Sequence, residues 1–265
     1  MSSILRKILD KIIILQKCFE DDRKMNTTKK IEKKINRFRE GITFKYNNLD
    51  IARDEYAAAT KAIERFVREG KIRRVSTGVF YKPKQTVFGE IKPNEEELLK
   101  PYLFVDGQRI GYITGTSLYN QMGLTTQVPT TIKVASKTKR VTTKLGKVPI
   151  KPVKSYVDVS KENYKQLEIL DALKDLKSIP DSDKENSLRI LEKKIQRLEK
   201  KGLRNLISCA KKYPPRTRAL LGAIIENLQM IEAIERLKET LNPLTTFEIG
   251  IREKALPTIN NWNIH

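Results

Sequence analysis

The sequence predicts an α+β fold, in which a small helical domain closed by a β-hairpin precedes a mixed α/β segment and then a mostly helical C-terminal region. Three observations predict it. Apolar residues recur at helical spacing from Ile31 to Val67 and then alternate over Ile72 to Tyr81. Between Arg109 and Val153, short β-branched runs are separated by Gly, Pro and Lys. From Ser160 onward the apolar spacing returns to three and four residues, punctuated by Ile179-Pro180 and Pro214-Pro215.

The N-terminal elements follow in order. Thr27 to Glu40 reads as a helix with Ile31, Ile35 and Phe38 on one face and Gly41 at its end. Ile42 to Phe44 is a short extended piece. Asn47 and Asn48 suit the start of a short second helix through Leu49 and Ile51, since their side chains accept from free N–H groups. Asp54 is expected to cap a third helix, Glu55 to Glu69, which turns Ala59, Ile63, Phe66 and Val67 inward and closes at Gly70. Ile72 to Val75 and Val79 to Tyr81 alternate around Ser76-Thr77-Gly78, a hairpin signal. Three helices followed by a hairpin is the order of a winged helix-turn-helix, assigned to residues 27–86.

Residues 87–101 read as a connection with a short helix, headed by Glu95, Glu96 and Glu97 where the helix dipole favours carboxylates. A second domain is expected over 102–241. Arg109 to Thr114, Thr131 to Ser136 and Val148 to Val153 read as its strands, and Gly115 to Met122 as a helix ended by Gly123. Ser160 is expected to cap a helix to Lys177, and Asp183 one to Lys201. Leu203 to Lys211 and Pro215 to Leu241 are further helices, with a break near Asn227 and Gln229. Leu188, Leu191, Ile195 and Leu198 read as core packing in a helical bundle, because the stripe is too short for a coiled coil. Residues 242–265 hold two prolines and no period, and are expected to be an extended surface tail.

Residues 1–26 are assigned to an N-terminal extension. Ile4, Leu5, Ile8, Leu9, Ile12, Ile13 and Leu15 follow helical spacing, with Arg6, Lys7, Asp10 and Lys11 between them. The stretch lacks the uninterrupted apolar core and small-residue cleavage site of a signal peptide. An amphipathic docking helix is one reading of it, and translation starting at Met25 is another.

Charge and composition narrow the chemistry. A net charge of +21 favours a polyanionic partner, because Lys and Arg release counterions from phosphate. A membrane surface or an acidic protein are the other classes it admits. Cys18 and Cys209 form no C-x-x-C pair and no disulfide framework, which fits a reducing, cytoplasmic compartment. His265 is the sole histidine, which argues against zinc fingers and His-based triads. No phosphate-binding glycine loop occurs, and Ser117 has no nucleophile-elbow context. No catalytic residue, metal or cofactor is therefore expected, and no apolar run is long enough to span a membrane. Asp171 and Asp175 share a helix face, but Lys174 and Lys177 beside them point to a charged helix surface rather than a metal site. Arg216 and Arg218 read as partners for an acidic helix inside the domain, with phosphate binding as the alternative.

The candidate interface lies on the third helix and the hairpin. Tyr56, Ala58, Thr60 and Lys61 are near the helix start, where small residues let the backbone approach base edges. Lys61 and Tyr56 are assigned to bases, and Arg65 and Arg68, further along, to phosphates. Arg73, Arg74 and Lys82 flank the hairpin turn and suit a minor groove or its phosphate walls. A second basic surface is expected from Lys133, Lys137, Lys139, Arg140 and Lys144, because no acidic residue occurs from Gly107 through Val157.

At AIERFVREGKIRRVSTGVFYK (Ala62 to Lys82) the chain resembles the winged-helix half of the AbiEi-type antitoxins. GYITGTSLYNQMGLTTQVPTTIKVA (Gly111 to Ala135), LEILDALKDLKSIP (Leu167 to Pro180) and YPPRTRALLG (Tyr213 to Gly222) resemble the second domain of that family. The resemblance implies a bacterial type IV antitoxin and transcriptional repressor, linked to phage defence. Its N-terminal domain would bind inverted repeats in double-stranded operator DNA, with two copies on the site. Its C-terminal domain would oppose a nucleotidyltransferase-type toxin without an assumed direct complex. Two other readings compete: a protein-interaction module whose helical half binds a partner, and a nuclease-like enzyme, for which the sequence offers no metal-ligand cluster.

Overall fold

The computed structural model describes residues 26–87, 89–140, 142–230 and 234–265. The expectations for the amphipathic stretch from Ile4 and for a start at Met25 lie outside the described residues. The architecture is mixed α and β, and the chain divides into two compact units, Met1–Pro101 and Tyr102–His265. No helix among the described residues is long and apolar enough to cross a membrane.

In the first unit, helix α1 (Thr27–Arg37) starts at Asn26, whose side chain accepts from the Thr28 amide. It stops short of the expected Glu40. Phe38 leaves the helix in an extended conformation, and its ring stacks on Phe44 at 4.8 Å. Strand β1 (Thr43–Lys45) leads into a 3-10 turn, Tyr46–Leu49, where Asn48 accepts from the Lys45 amide at 2.8 Å. Helix α2 (Tyr56–Arg68) follows. Its N-cap position is Glu55, not Asp54, and no side chain caps it. The Glu55 carboxylate is instead taken by the Lys30 ammonium at 2.9 Å and the Thr27 hydroxyl at 3.1 Å. Strands β2 (Arg73–Ser76) and β3 (Val79–Tyr81) form the hairpin, bulged between Arg74 and Ser76. β1 pairs with the far side of β3, Phe44 opposite Phe80, so the sheet order is β1-β3-β2.

Ile31, Ile35, Phe44, Leu49, Ala59, Ala62, Ile63, Phe66, Ile72 and Phe80 make the core of this unit. Ala62 takes the inward place expected of Val67, which is only partly buried. Residues after the hairpin form a second ribbon, β4 (Lys84–Thr86) with β5 (Gly89–Ile91), and then helix α3 (Glu95–Leu103). Glu97 accepts from both the Thr43 amide, at 3.1 Å, and the Thr43 hydroxyl, at 3.0 Å, which fixes the helix start to β1.

The second unit carries β6 (Phe104–Val105) paired with β7 (Gln108–Arg109), then β8 (Tyr112–Thr114) and helix α4 (Thr116–Gln121). The single strand expected over Arg109 to Thr114 is split, because the Ile110 and Gly111 amides both donate to the Leu103 carbonyl. β9 (Ile132–Ser136), β10 (Thr143–Leu145) and β11 (Val148–Lys154) complete a sheet of order β10-β11-β9-β8, in which β9 and β11 run parallel. Helices α5 (Tyr164–Asp175), α6 (Lys184–Gln196), α7 (Lys200–Ala210), α8 (Pro215–Asn227) and α9 (Glu235–Lys238) follow. Asn163, not Ser160, stands at the N-cap position of α5, while Asp183 caps α6 by accepting from the Glu185 and Asn186 amides. Leu188, Leu191 and Ile195 are fully buried in the bundle core.

The segment 242–265 is not an extended surface tail. Phe247, Ile249, Ile251, Leu256, Ile259, Trp262 and Ile264 all join the same core. The chain doubles back so that Phe247 bridges Ile264, and a 3-10 turn at Ile259–Trp262 lies against α8. The lack of a period misled because short irregular segments bury apolar side chains one at a time.

Candidate nucleic-acid interface

The core sets which side of α2 faces out. With Ala59, Ala62, Ile63 and Phe66 buried, Ala57, Ala58, Lys61, Glu64, Arg65 and Arg68 are exposed. At about 100° per residue, Ala57, Lys61 and Arg68 lie within one narrow arc, with Glu64 at one edge and Arg65 at the other. Tyr56 and Thr60 do not share that arc. They lie about 140° and 100° round from Lys61 and turn toward Tyr46. The Thr60 hydroxyl donates back to the Tyr56 carbonyl at 3.0 Å.

The cations differ in how far they are already engaged. Among the described residues, Lys61 and Arg68 form no ion pair. Arg65 reaches Glu69 at 3.5 Å and lies over the Phe66 ring. Arg74, exposed on β2, lies over Phe80 at 5.5 Å and has no carboxylate partner among the described residues. Arg73 is committed elsewhere. Its Nη2 and Nε lie 2.9 and 3.0 Å from Glu90 Oε2, and Glu90 also accepts from the Tyr81 hydroxyl. Burial, with Glu90 adding to it, pushes the Tyr81 phenol up to about 12, so it stays a donor. Lys82 is half-buried just past β3, where its carbonyl accepts from the Gly41 amide.

Sequence reasoning missed Tyr46. Its ring lies 5.5 Å from Tyr56 and 5.5 Å, edge-on, from Phe80. Burial raises its phenol pKa, against the Thr60 hydroxyl beside it. The signal was an aromatic residue next to the Asn pair read as a helix start. Lys30 and Lys34 also escaped notice, yet they serve the scaffold. Lys34 donates to the Leu49 carbonyl at 2.8 Å and to Asp50 at 2.9 Å, in a groove of about 190 Å³ lined by charges of both signs.

The second set of basic residues is exposed throughout: Lys133, Lys137, Lys139, Arg140 and Lys144. Strand register places Lys133 beside Lys151, and Lys144 opposite Pro149, so Lys133, Lys144 and Lys151 share one sheet face. Lys137 is held by Asp158 at 2.8 Å, and Lys139 and Arg140 lie on the loop that leaves β9.

A sequence profile spanning 30–207 covers both this interface and most of the second unit. The chain belongs to a family of unknown function, DUF6088. No curated protein matches it.

The second unit also contains a polar cluster, where a surface carboxylate was expected. Asp171 is 2% exposed. It accepts from Tyr112 at 3.0 Å, Thr114 at 2.6 Å and Tyr213 at 3.0 Å, and Lys174 lies 3.6 Å away. Tyr119 donates to Asp175 at 2.5 Å. Burial pushes the phenols of Tyr112, Tyr119 and Tyr213 far above their usual range, so all three remain donors. The arrangement satisfies a buried charge, and it ties β8 and α4 to α5 and to the residues leading into α8. Arg216 and Arg218 meet carbonyls, of Lys174 and Thr240, rather than an acidic helix. Glu168, one turn before Asp171, is half-buried, and burial pushes its carboxyl up to about 7 against the pull of Arg109, Lys165 and Lys194.

Proposed function

We propose that the first unit is a winged helix-turn-helix that binds double-stranded DNA, with α2 as the recognition helix and the β2–β3 hairpin as the wing. The observation that carries this reading is the outward face of α2. There Lys61 and Arg68 stand exposed beside small residues, and no carboxylate pairs with either among the described residues. Arg74 supplies a further exposed cation on the hairpin that follows. Lys61 near the helix start suits base edges, while Arg68 and Arg74 suit phosphates.

On the strength of the resemblance at Ala62 to Lys82 and Gly111 to Ala135, the chain is further read as an antitoxin-type repressor of its own operon. It would act without catalysis and oppose a nucleotidyltransferase-type toxin encoded beside it.

The test is fluorescence anisotropy on two duplexes of equal length, one from the region upstream of its own gene and one scrambled. Tighter binding to the upstream duplex is expected, with log K falling linearly in log salt. Lys61→Ala should narrow the preference between duplexes. Arg68→Ala should weaken both alike, and Arg68→Ala and Arg74→Ala should each reduce the salt slope by about 1. Equal affinity for both duplexes at every salt concentration refutes operator binding. Co-expression with the neighbouring gene tests the antitoxin reading, which fails if toxicity is unchanged by this chain.

A further inference from the structure

Tyr46 stands on neither of the two elements assigned to DNA, yet it touches both. It is the first residue of the 3-10 turn between β1 and α2. One side of its ring meets Tyr56, in the first turn of α2, at 5.5 Å. Another meets Phe80 of β3 at 5.5 Å and 89°. A Cβ at Gly78, in the hairpin turn, would stand 3.8 Å from the same ring. Phe80 in turn lies under the Arg74 guanidinium. A single side chain therefore links the start of the helix to the turn of the hairpin and, through Phe80, to its exposed cation.

We propose that Tyr46 is a positioning residue: its ring sets the hairpin against α2, so that Arg74 and Lys61 engage one duplex together. The inference rests on the DNA-binding reading above and deepens it. A helix and a hairpin that each bind phosphate alone would confer affinity. Reading a sequence requires the helix to be held at one depth and angle in the groove, and phosphate contacts at a second point supply that register. Edge-to-face and tilted ring contacts are suited to the task because they have preferred geometries, unlike aliphatic packing. Gly78 (φ +73°) lets the turn pass the ring in a backbone conformation that other residues rarely adopt.

The experiment measures the ratio of affinities for the upstream and scrambled duplexes in wild type, Tyr46→Phe, Tyr46→Leu, Tyr46→Ala, Arg74→Ala and the Tyr46→Leu/Arg74→Ala double variant. Circular dichroism and thermal midpoints are recorded for each. Tyr46→Phe keeps the ring and should match wild type within about twofold, whereas Tyr46→Leu should lower the ratio about tenfold while remaining folded. If Tyr46 acts through the hairpin, Arg74→Ala should by itself lower the ratio, and should cost it less than about twofold more once Tyr46 is Leu. A role in stability alone would lower the thermal midpoint and leave the ratio intact, which overturns the proposal. So do independent, multiplying effects of Tyr46→Leu and Arg74→Ala. If Tyr46→Ala unfolds, Tyr46→Leu decides. Wild type without any preference overturns operator binding, on which this inference rests, a result distinct from a normal wild type with an unaffected Tyr46→Leu.

Discussion

Replacing Glu168 by Gln should stabilise the second unit at neutral pH. Glu168 sits in α5, half-buried, and burial pushes its carboxyl from the ordinary 4.5 up to about 7, despite Arg109, Lys165 and Lys194 nearby. A raised carboxylate means that ionisation opposes folding. Below the unfolded value both states hold the proton, so Glu168 costs nothing there. Between about 4.5 and 7 the unfolded chain releases its proton first and stability falls. Above about 7 the folded state is ionised too and the loss is complete. A shift of this size corresponds to at most about 3 kcal/mol, and partial exposure of the side chain reduces it to roughly 1–2 kcal/mol. Trp262, the only tryptophan and 3% exposed, lies in the core of the same unit, so its fluorescence follows urea unfolding of that unit. Wild type should lose stability from pH 5 to 7 relative to Glu168→Gln, and the two should run parallel above it. Parallel curves across the whole range, or a glutamine variant less stable at pH 8, would refute the reasoning.

Other perturbations test the remaining contacts. Gly222→Ala should destabilise the second unit by about 1–3 kcal/mol or more in the same fluorescence assay, because a Cβ there would stand 2.1 Å from the Trp262 ring. Asp171→Ala should cost about 3–5 kcal/mol, since the hydroxyls of Tyr112, Thr114 and Tyr213 would lose their acceptor, and Tyr112→Phe should cost about 1–3 kcal/mol. Glu90→Gln removes the charge that holds Arg73, so DNA affinity should rise and the salt slope should steepen by about 1, whereas an unchanged slope would mean that Arg73 faces no phosphate.

Periodicity located the elements that bury one face continuously. Ile31, Ile35, Ile63 and Phe66 repeat at helical spacing and form the core of the first unit, and Leu188, Leu191 and Ile195 do the same in the second. It could not choose between Ala62 and Val67, because both border the same stripe and the choice depends on what packs against it. Nor could it find the fold of residues 242–265. The alternation Phe247, Ile249, Ile251 was a usable signal, but it is short and the later anchors Leu256, Ile259 and Trp262 keep no period. Asp171 was misread for a different reason. Its partners, Tyr112 and Tyr213, lie 59 and 42 residues away in sequence, and no local pattern reports a hydrogen bond across such distances.

The candidate interface was legible as residue types but not as available charge. A run such as Gly-Lys-Ile-Arg-Arg contributes cations of quite different standing once folded. Lys71 is bound to Glu32 at 2.6 Å and Arg73 to Glu90, while Arg74, next in the chain, remains exposed over Phe80. Alternation along β2 accounts for the split: Arg73 and Arg74 point to opposite faces of the strand, and only one face meets the carboxylate of the β5 ribbon. A phosphate competes poorly for a guanidinium already held by two contacts to one carboxylate, and well for one that lies over an aromatic ring in solvent. The net charge of the chain therefore does not say which cations stand ready to meet a polyanion. On the helix and hairpin of the first unit, pairing and exposure together, rather than the count, single out Lys61, Arg68 and Arg74 as the residues whose removal should be felt first.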